Sequence, residues 1–202
     1  MSVVLLESLT AWLPEAILSL GGLLVLVLGA WTKRHQPALA VTWLILLASG
    51  IALWHAPVPP ATDPFFGLII CDPFSFVFRW LALGVLALVI LMVVASRDVE
   101  EGLCGEYLGL LLLIGVGLML MAEANHLLIA YVAMELVSLS SYALVGFTKD
   151  ARSSEAALKY LLFGALASGI MLFGMSLLFG VTGELAFPEI LASLAGLSGP
   201  MP

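Results

Sequence analysis

Long apolar runs broken by short polar stretches dominate the chain. Six of them, near residues 13–31, 38–54, 74–95, 106–122, 126–147 and 156–181, approach or exceed the roughly 20 apolar residues needed to cross a hydrocarbon core of about 30 Å. The runs are continuous and show no ten-residue alternation of apolar and polar positions, which predicts helices and not the strands of a barrel. The breaks carry helix-boundary residues. "CDPF" places Asp72 as an N-cap with Pro73 at the first helical position, and "WLPE" puts Pro14 and Glu15 at the start of the first run. "RSSEAALKY" predicts a serine N-cap and an acidic first turn for the sixth run, suited to the positive end of a helix. Beyond a turn at Gly183, the apolar Ile190, Leu191, Leu194 and Leu197 predict a short interfacial helix over 188–197. The expectation is one all-α membrane domain over residues 1–202, with six transmembrane helices, no internal repeat and no soluble domain.

Composition agrees with that pattern. Hydrophobic residues make up 62% of the chain and charged residues 10%, and the mean hydropathy is +1.17, outside the range of soluble domains. The net charge of −7 says little about nucleic acid, because the acidic residues fall mostly in loops and at helix ends. The first run follows Glu7 with no Lys or Arg before it and has no small-residue cleavage site, so it reads as a retained helix and not a signal peptide. Basic residues predict the orientation. Lys33, Arg34, Arg97, Lys149 and Arg152 follow runs one, three and five, while 55–73, 123–125 and the segment after 182 have none. Cytoplasmic loops carry the excess of Lys and Arg, so both ends of this chain are expected on the outer side. Cys71 and Cys104 then fall on opposite sides of the membrane, where no disulfide joins them, and no zinc-ligand spacing is present.

The polar residues inside the runs are the candidates for chemistry. Glu135 lies in the middle of "IAYVAMELVSLSSYALVGF", roughly 14 to 18 Å from either end of its helix. A short carboxylate at that depth cannot reach the interface, and burying it costs several kcal/mol unless it is paired, hydrated or protonated. Tyr131, Ser138 and Tyr142 share its helical face, a polar stripe that must meet protein or water. Two readings fit: a neutral glutamic acid that ties helices together, and a titrating group on an ion path. Lys159 sits about 6 to 7 Å inside the sixth run, where it either snorkels or joins such a path. A direct pair with Glu135 is not expected, since the two differ in depth by about 12 Å. Arg79 reads as an anchor near the outer end of the third run or as a partner for a neighbouring helix. Glu106 and His126 sit at helix starts, where ordinary end effects account for them. Gly164, Ser168, Gly169 and Gly174 predict close helix packing along the sixth run. No phosphate loop, nucleophile elbow or metal motif occurs, and no nucleotide-binding pattern is found.

"YVAMELVSLSSYALVGF" followed by "SSEAALKYLLFGALASGIMLFGMSLLFGVTGEL" resembles the antiporter-like membrane subunits of respiratory complex I, the NADH:quinone oxidoreductase. The resemblance is strong over 125–187 and weaker over 1–124. It implies that Glu135 is a proton-path glutamate and that Lys159 belongs to the polar axis. Members have about fourteen helices built around two inverted repeats, so this chain is expected to represent an N-terminal portion that lacks the lysine facing the glutamate. The implied role is part of an in-membrane proton channel coupled to electron transfer elsewhere. NAD, flavin, iron–sulfur clusters and quinone would belong to other subunits, and this chain would hold no cofactor or metal. The implied partners are the other membrane subunits and the lipid bilayer, in the inner (plasma) membrane. An Mrp-type cation/proton antiporter subunit and a purely structural membrane subunit are the rival readings.

Overall fold

The computed structural model describes residues 8–32, 35–56, 64–96 and 99–197. Six helices in it are long and apolar enough to cross a membrane: α1 (Leu13–Thr32), α2 (His35–His55), α3 (Pro73–Ser96), α4 (Cys104–Glu123), α5 (Leu127–Val145) and α6 (Ala151–Thr182). A seventh, α7 (Phe187–Leu197), follows as a short surface helix where one was expected. Of the basic residues that set the expected orientation, Lys33, Arg34 and Arg97 lie outside the described residues.

Helix α4 is the hub. It packs against α1, α2, α3 and α5, whereas α6 lies along α5 and touches α7. Glycine explains why α1 and α4 come so close. A Cβ on Gly105 would stand 2.5 Å from the Cα of Gly29, and one on Gly109 would meet Leu26 at the same distance. Within a membrane there is little hydrophobic drive between helices, so backbone approach through small residues supplies the packing energy. Around that seam Leu18, Val25, Leu108, Leu112 and Met119 are fully buried. The small residues of α6 behave differently. Gly164 receives the ring of Tyr142 and Ser168 is buried, but Gly169 and Gly174 have nothing within 4 Å of a built Cβ, so the expected packing role does not extend to them among the described residues.

The start of α3 is the expected one and the start of α6 is not. Asp72 does cap α3, accepting from the Ser75 amide at 2.7 Å, and Ser75 Oγ returns the favour by accepting from the Asp72 amide at 3.0 Å. The cap of α6, however, is Asp150 and not a serine: its Oδ1 accepts from the Ser153 amide at 2.8 Å, and α6 begins at Ala151, five residues before the apolar run. Thr148 donates to the same carboxyl at 2.6 Å, which with the amide holds Asp150 below its ordinary range. A charged cap can start the helix ahead of its apolar segment because the dipole and the free amides are satisfied in water. At the other end Gly183, at φ 71°, closes α6 with a bond from its amide to Phe179 O at 2.7 Å.

At the end of the bundle where α3 and α5 begin, three connecting segments are stitched together by main-chain hydrogen bonds. Ile70 N–H donates to Glu123 O at 2.8 Å and Asn125 N–H to Leu68 O at 3.1 Å. Leu127 N–H donates to Leu185 O at 2.9 Å and Phe187 N–H to Asn125 O at 3.0 Å. These bonds satisfy connections whose polar backbone would otherwise face the membrane boundary unpaired. The chain reaches this lattice through a left-handed turn at Phe65 (φ 53°), Phe66 (φ 60°) and Gly67 (φ 82°), a conformation that costs side-chain-bearing residues about 1 kcal/mol or more each. Phe65 is held there edge-on to Trp12, with ring centroids 6.0 Å apart.

Candidate functional site

Helix α5 runs for 19 residues, and Glu135 is its ninth, so the carboxylate lies at the middle of the helix. His126 starts the helix, its Nδ1 accepting from the Leu128 amide at 3.2 Å. The cap gives that histidine a structural task. One turn before Glu135, the side chain of Tyr131 interacts with its carboxyl group. Oxygen Oε1 of Glu135 is buried and has no hydrogen-bond partner among the described residues. Ser138 and Tyr142 continue the stripe, each half-buried. Tyr142 packs edge-on to Tyr160 of α6 at 4.7 Å between centroids, and Tyr160 Oη lies 3.3 Å from Ser141 Oγ. The structure therefore gathers Tyr131, Glu135, Ser138 and Tyr142 on one face and joins the end of that face to α6.

Lys159 is not brought to that face. Its ammonium pairs with Glu155 one turn back, and both side chains are two-thirds exposed. The half-buried positions of α6 fall at 153, 157, 164, 171, 175, 178 and 182, the spacing of one stripe turned toward α5, and Lys159 lies off it. Lys159 and Glu155 are thus presented on a side of α6 that the described residues do not cover.

A second polar centre lies at the end of the bundle near the stitched connections. Arg79 of α3 donates through Nε to Glu15 Oε1 at 2.8 Å and through Nη2 to Glu15 Oε2 at 2.7 Å, a two-pronged pair. Nη2 also donates to Ala11 O at 3.1 Å, and Nη1 stands 2.9 Å from Glu123 Oε1. The arginine side chain is 3% exposed and the two carboxylates 0%. Glu15 lies in the first turn of α1, as expected, but its side chain turns into the bundle against Arg79 of α3. The expectation for Arg79, an anchor or a partner for a neighbouring helix, resolves into the second. Cys71 completes the cluster, its Sγ 3.8 Å from Glu123 Oε1. Burial pushes that thiol up to about 12, so it stays protonated. Cys71 and Cys104 are not joined in a disulfide.

Comparison with known proteins matches the arrangement. Residues 124–200 match the family described as "NADH:quinone oxidoreductase/Mrp antiporter, TM". The chain is 38% identical over 188 residues to NADH-quinone oxidoreductase subunit N of Anaeromyxobacter sp. (strain Fw109-5), covering 91% of this chain and 36% of the relative. It is 42% identical over 194 residues to the subunit N of Rhizorhabdus wittichii, covering 93% and 40%. Among solved structures, a chain of respiratory complex I from Thermus thermophilus superposes with a TM-score of 0.70 at 32% identity, covering 90% of this chain and 41% of that one. The Mrp complex from Dietzia sp. DQ12-45-1b superposes with a TM-score of 0.65 at 22% identity, covering 96% and 22%, a likeness of fold alone. The chain spans about two-fifths of the length of these subunit N relatives. Over 124–200 the chain thus matches the antiporter-like membrane family, and over nine tenths of its length it is similar to subunit N of bacterial NADH-quinone oxidoreductase.

Proposed function

We propose that this chain provides part of an in-membrane proton path in a proton-pumping NADH:quinone oxidoreductase of the inner membrane, with electron transfer and its cofactors in other subunits. The observation that carries the reading is Glu135: a carboxylate at mid-depth in a helix that matches the hydrocarbon thickness, with one buried oxygen free of any partner among the described residues. A purely structural tie would use both oxygens, whereas a group that must gain and lose a proton needs a vacancy for it. Tyr131, Ser138 and Tyr142 extend the polar face along α5. Lys159, on the uncovered side of α6, would act toward a partner beyond this chain, and the other membrane subunits of the complex are the expected neighbours.

The test is proton uptake coupled to quinone reduction in vesicles, normalised to assembled complex. Glu135→Gln keeps shape and hydrogen-bonding capacity but cannot ionise, so it is expected to assemble and lose proton translocation. Lys159→Ala is expected to lower pumping while Lys159→Arg retains more of it, because the charge stays. Wild-type pumping by the Gln variant would leave Glu135 as a structural tie and end this reading.

The proposed orientation puts the connection between α5 and α6 in the cytoplasm and α7 outside, following Lys149 and Arg152. A single cysteine at Ala151 is then expected to react with a membrane-impermeant maleimide only in inverted vesicles, and one at Ala192 only in right-side-out vesicles. The opposite labelling would reverse the topology.

A further inference from the structure

The cluster at Arg79 carries an imbalance that the proton path along α5 does not use. Two carboxylates meet one guanidinium, so full ionisation would leave one negative charge in excess where the side chains are 0% to 3% exposed. The groups that meet there are Glu15 from α1, Arg79 from α3, Glu123 from α4 and Cys71 from the connection before α3; from α2, Ser49 comes in to donate to Pro14 O at 3.0 Å. The two carboxylates are not equivalent. Glu15 has both oxygens engaged by the arginine fork, the geometry of an ionised acid. Glu123 has Oε1 facing Arg79 and the Cys71 thiol, while Oε2 is buried with no hydrogen-bond partner among the described residues. A bare carboxylate oxygen in such a place is far costlier than the hydroxyl of a neutral acid.

We propose that this cluster is a proton-binding site separate from Glu135: Glu123 carries one exchangeable proton on Oε2, while Glu15 stays ionised against Arg79. The ligand is a proton taken from water, which converts the Glu123 carboxylate to the neutral acid and brings the cluster to zero net charge. Cys71 cannot serve as the proton acceptor in its place, because its thiol already holds its proton; it points that hydrogen at Oε1 instead. The site stands whether or not the path along α5 pumps.

The experiment compares Glu123→Gln with Glu15→Gln in the full-length protein within its native membrane complex. If Glu123 is a neutral acid, an amide of the same shape replaces it with little loss, so Glu123→Gln is expected to assemble near the wild-type level. Glu15→Gln, which removes the ionised partner of the arginine, is expected to lose most of the assembled complex. Infrared difference spectra between about pH 6 and about pH 9 read the proton directly: the wild type is expected to show a deuterium-sensitive carboxylic-acid C=O band that is absent from Glu123→Gln and retained in Glu135→Gln. Loss of assembly in Glu123→Gln as severe as in Glu15→Gln would mean that Glu123 is needed as an ion, and would overturn the proposal. Persistence of the full band in Glu123→Gln would overturn it as well.

Discussion

Arg79→Ala is expected to destabilise the bundle by about 3 to 5 kcal/mol, the usual cost of stripping the partner from a buried ion pair. The loss comes less from the attraction forgone than from what remains. Glu15, with both oxygens turned to the missing guanidinium, is 0% exposed and has no route to water. Arg79→Lys is expected to recover only part of the loss, since an ammonium cannot bridge both oxygens of Glu15, the Ala11 carbonyl and Glu123 at once. Replacing Arg79 and Glu15 together by methionine removes charge and partner at one stroke and is expected to be milder than Arg79→Ala. Fluorescence-detected gel filtration of detergent extracts, heated in steps, ranks the variants. If Arg79→Ala melted with the wild type, the cluster would contribute nothing to the fold.

Gly29→Ala is the second large loss, expected at about 1 to 3 kcal/mol. The added Cβ would stand 2.6 Å from the Glu106 amide nitrogen and 2.7 Å from the Gly105 carbonyl carbon. Both are helix backbone, so neither can turn aside and α1 must back away from α4. Gly21→Ala is the control. Its Cβ also meets atoms at 2.6 to 2.7 Å, but they belong to the side chain of Ile45, which can change rotamer. The same heating assay is expected to place Gly21→Ala between the wild type and Gly29→Ala. An equal shift for the two would show that backbone contact at Gly29 carries no special weight.

Helix number and approximate limits were legible in the residues because each span is a continuous apolar run and most breaks carry a cap or a proline. The start of α6 was not, because Ala151 to Glu155 are polar enough to read as loop, and only the cap at Asp150 makes them helix. Glu135 and its stripe were legible from periodicity within one helix. The cluster at Arg79 was not: Glu15 and Arg79 are 64 residues apart, and each of the three charges, taken alone, has an ordinary explanation near a helix end. The available signal was relational. With the expected topology, Glu15, Arg79 and Glu123 all fall toward the outer ends of their helices, and an arginine inside an apolar run calls for an acid at the same depth. Nor did the residues show which α6 glycines meet a neighbour, since Gly164 and Gly174 look alike until α5 is laid beside one and not the other.

The length of α6 has a consequence for depth. At 1.5 Å per residue its 32 residues span about 48 Å, against a hydrocarbon core of about 30 Å. Tilting cannot absorb the mismatch, because even at about 40°, the upper end of observed tilts, the helix still projects about 37 Å along the membrane normal. Part of α6 must therefore stand in the headgroups. Lys159 is the ninth residue, about 12 Å from Ala151, so if the overhang divides evenly it lies only about 3 Å below the hydrocarbon boundary, within reach of water through its own stem. Helix α5, at about 28 Å, has no such slack and fixes Glu135 at the midplane. The two groups thus differ in freedom as well as depth: a small vertical slide of α6 carries Lys159 across the membrane boundary, while Glu135 stays where it is.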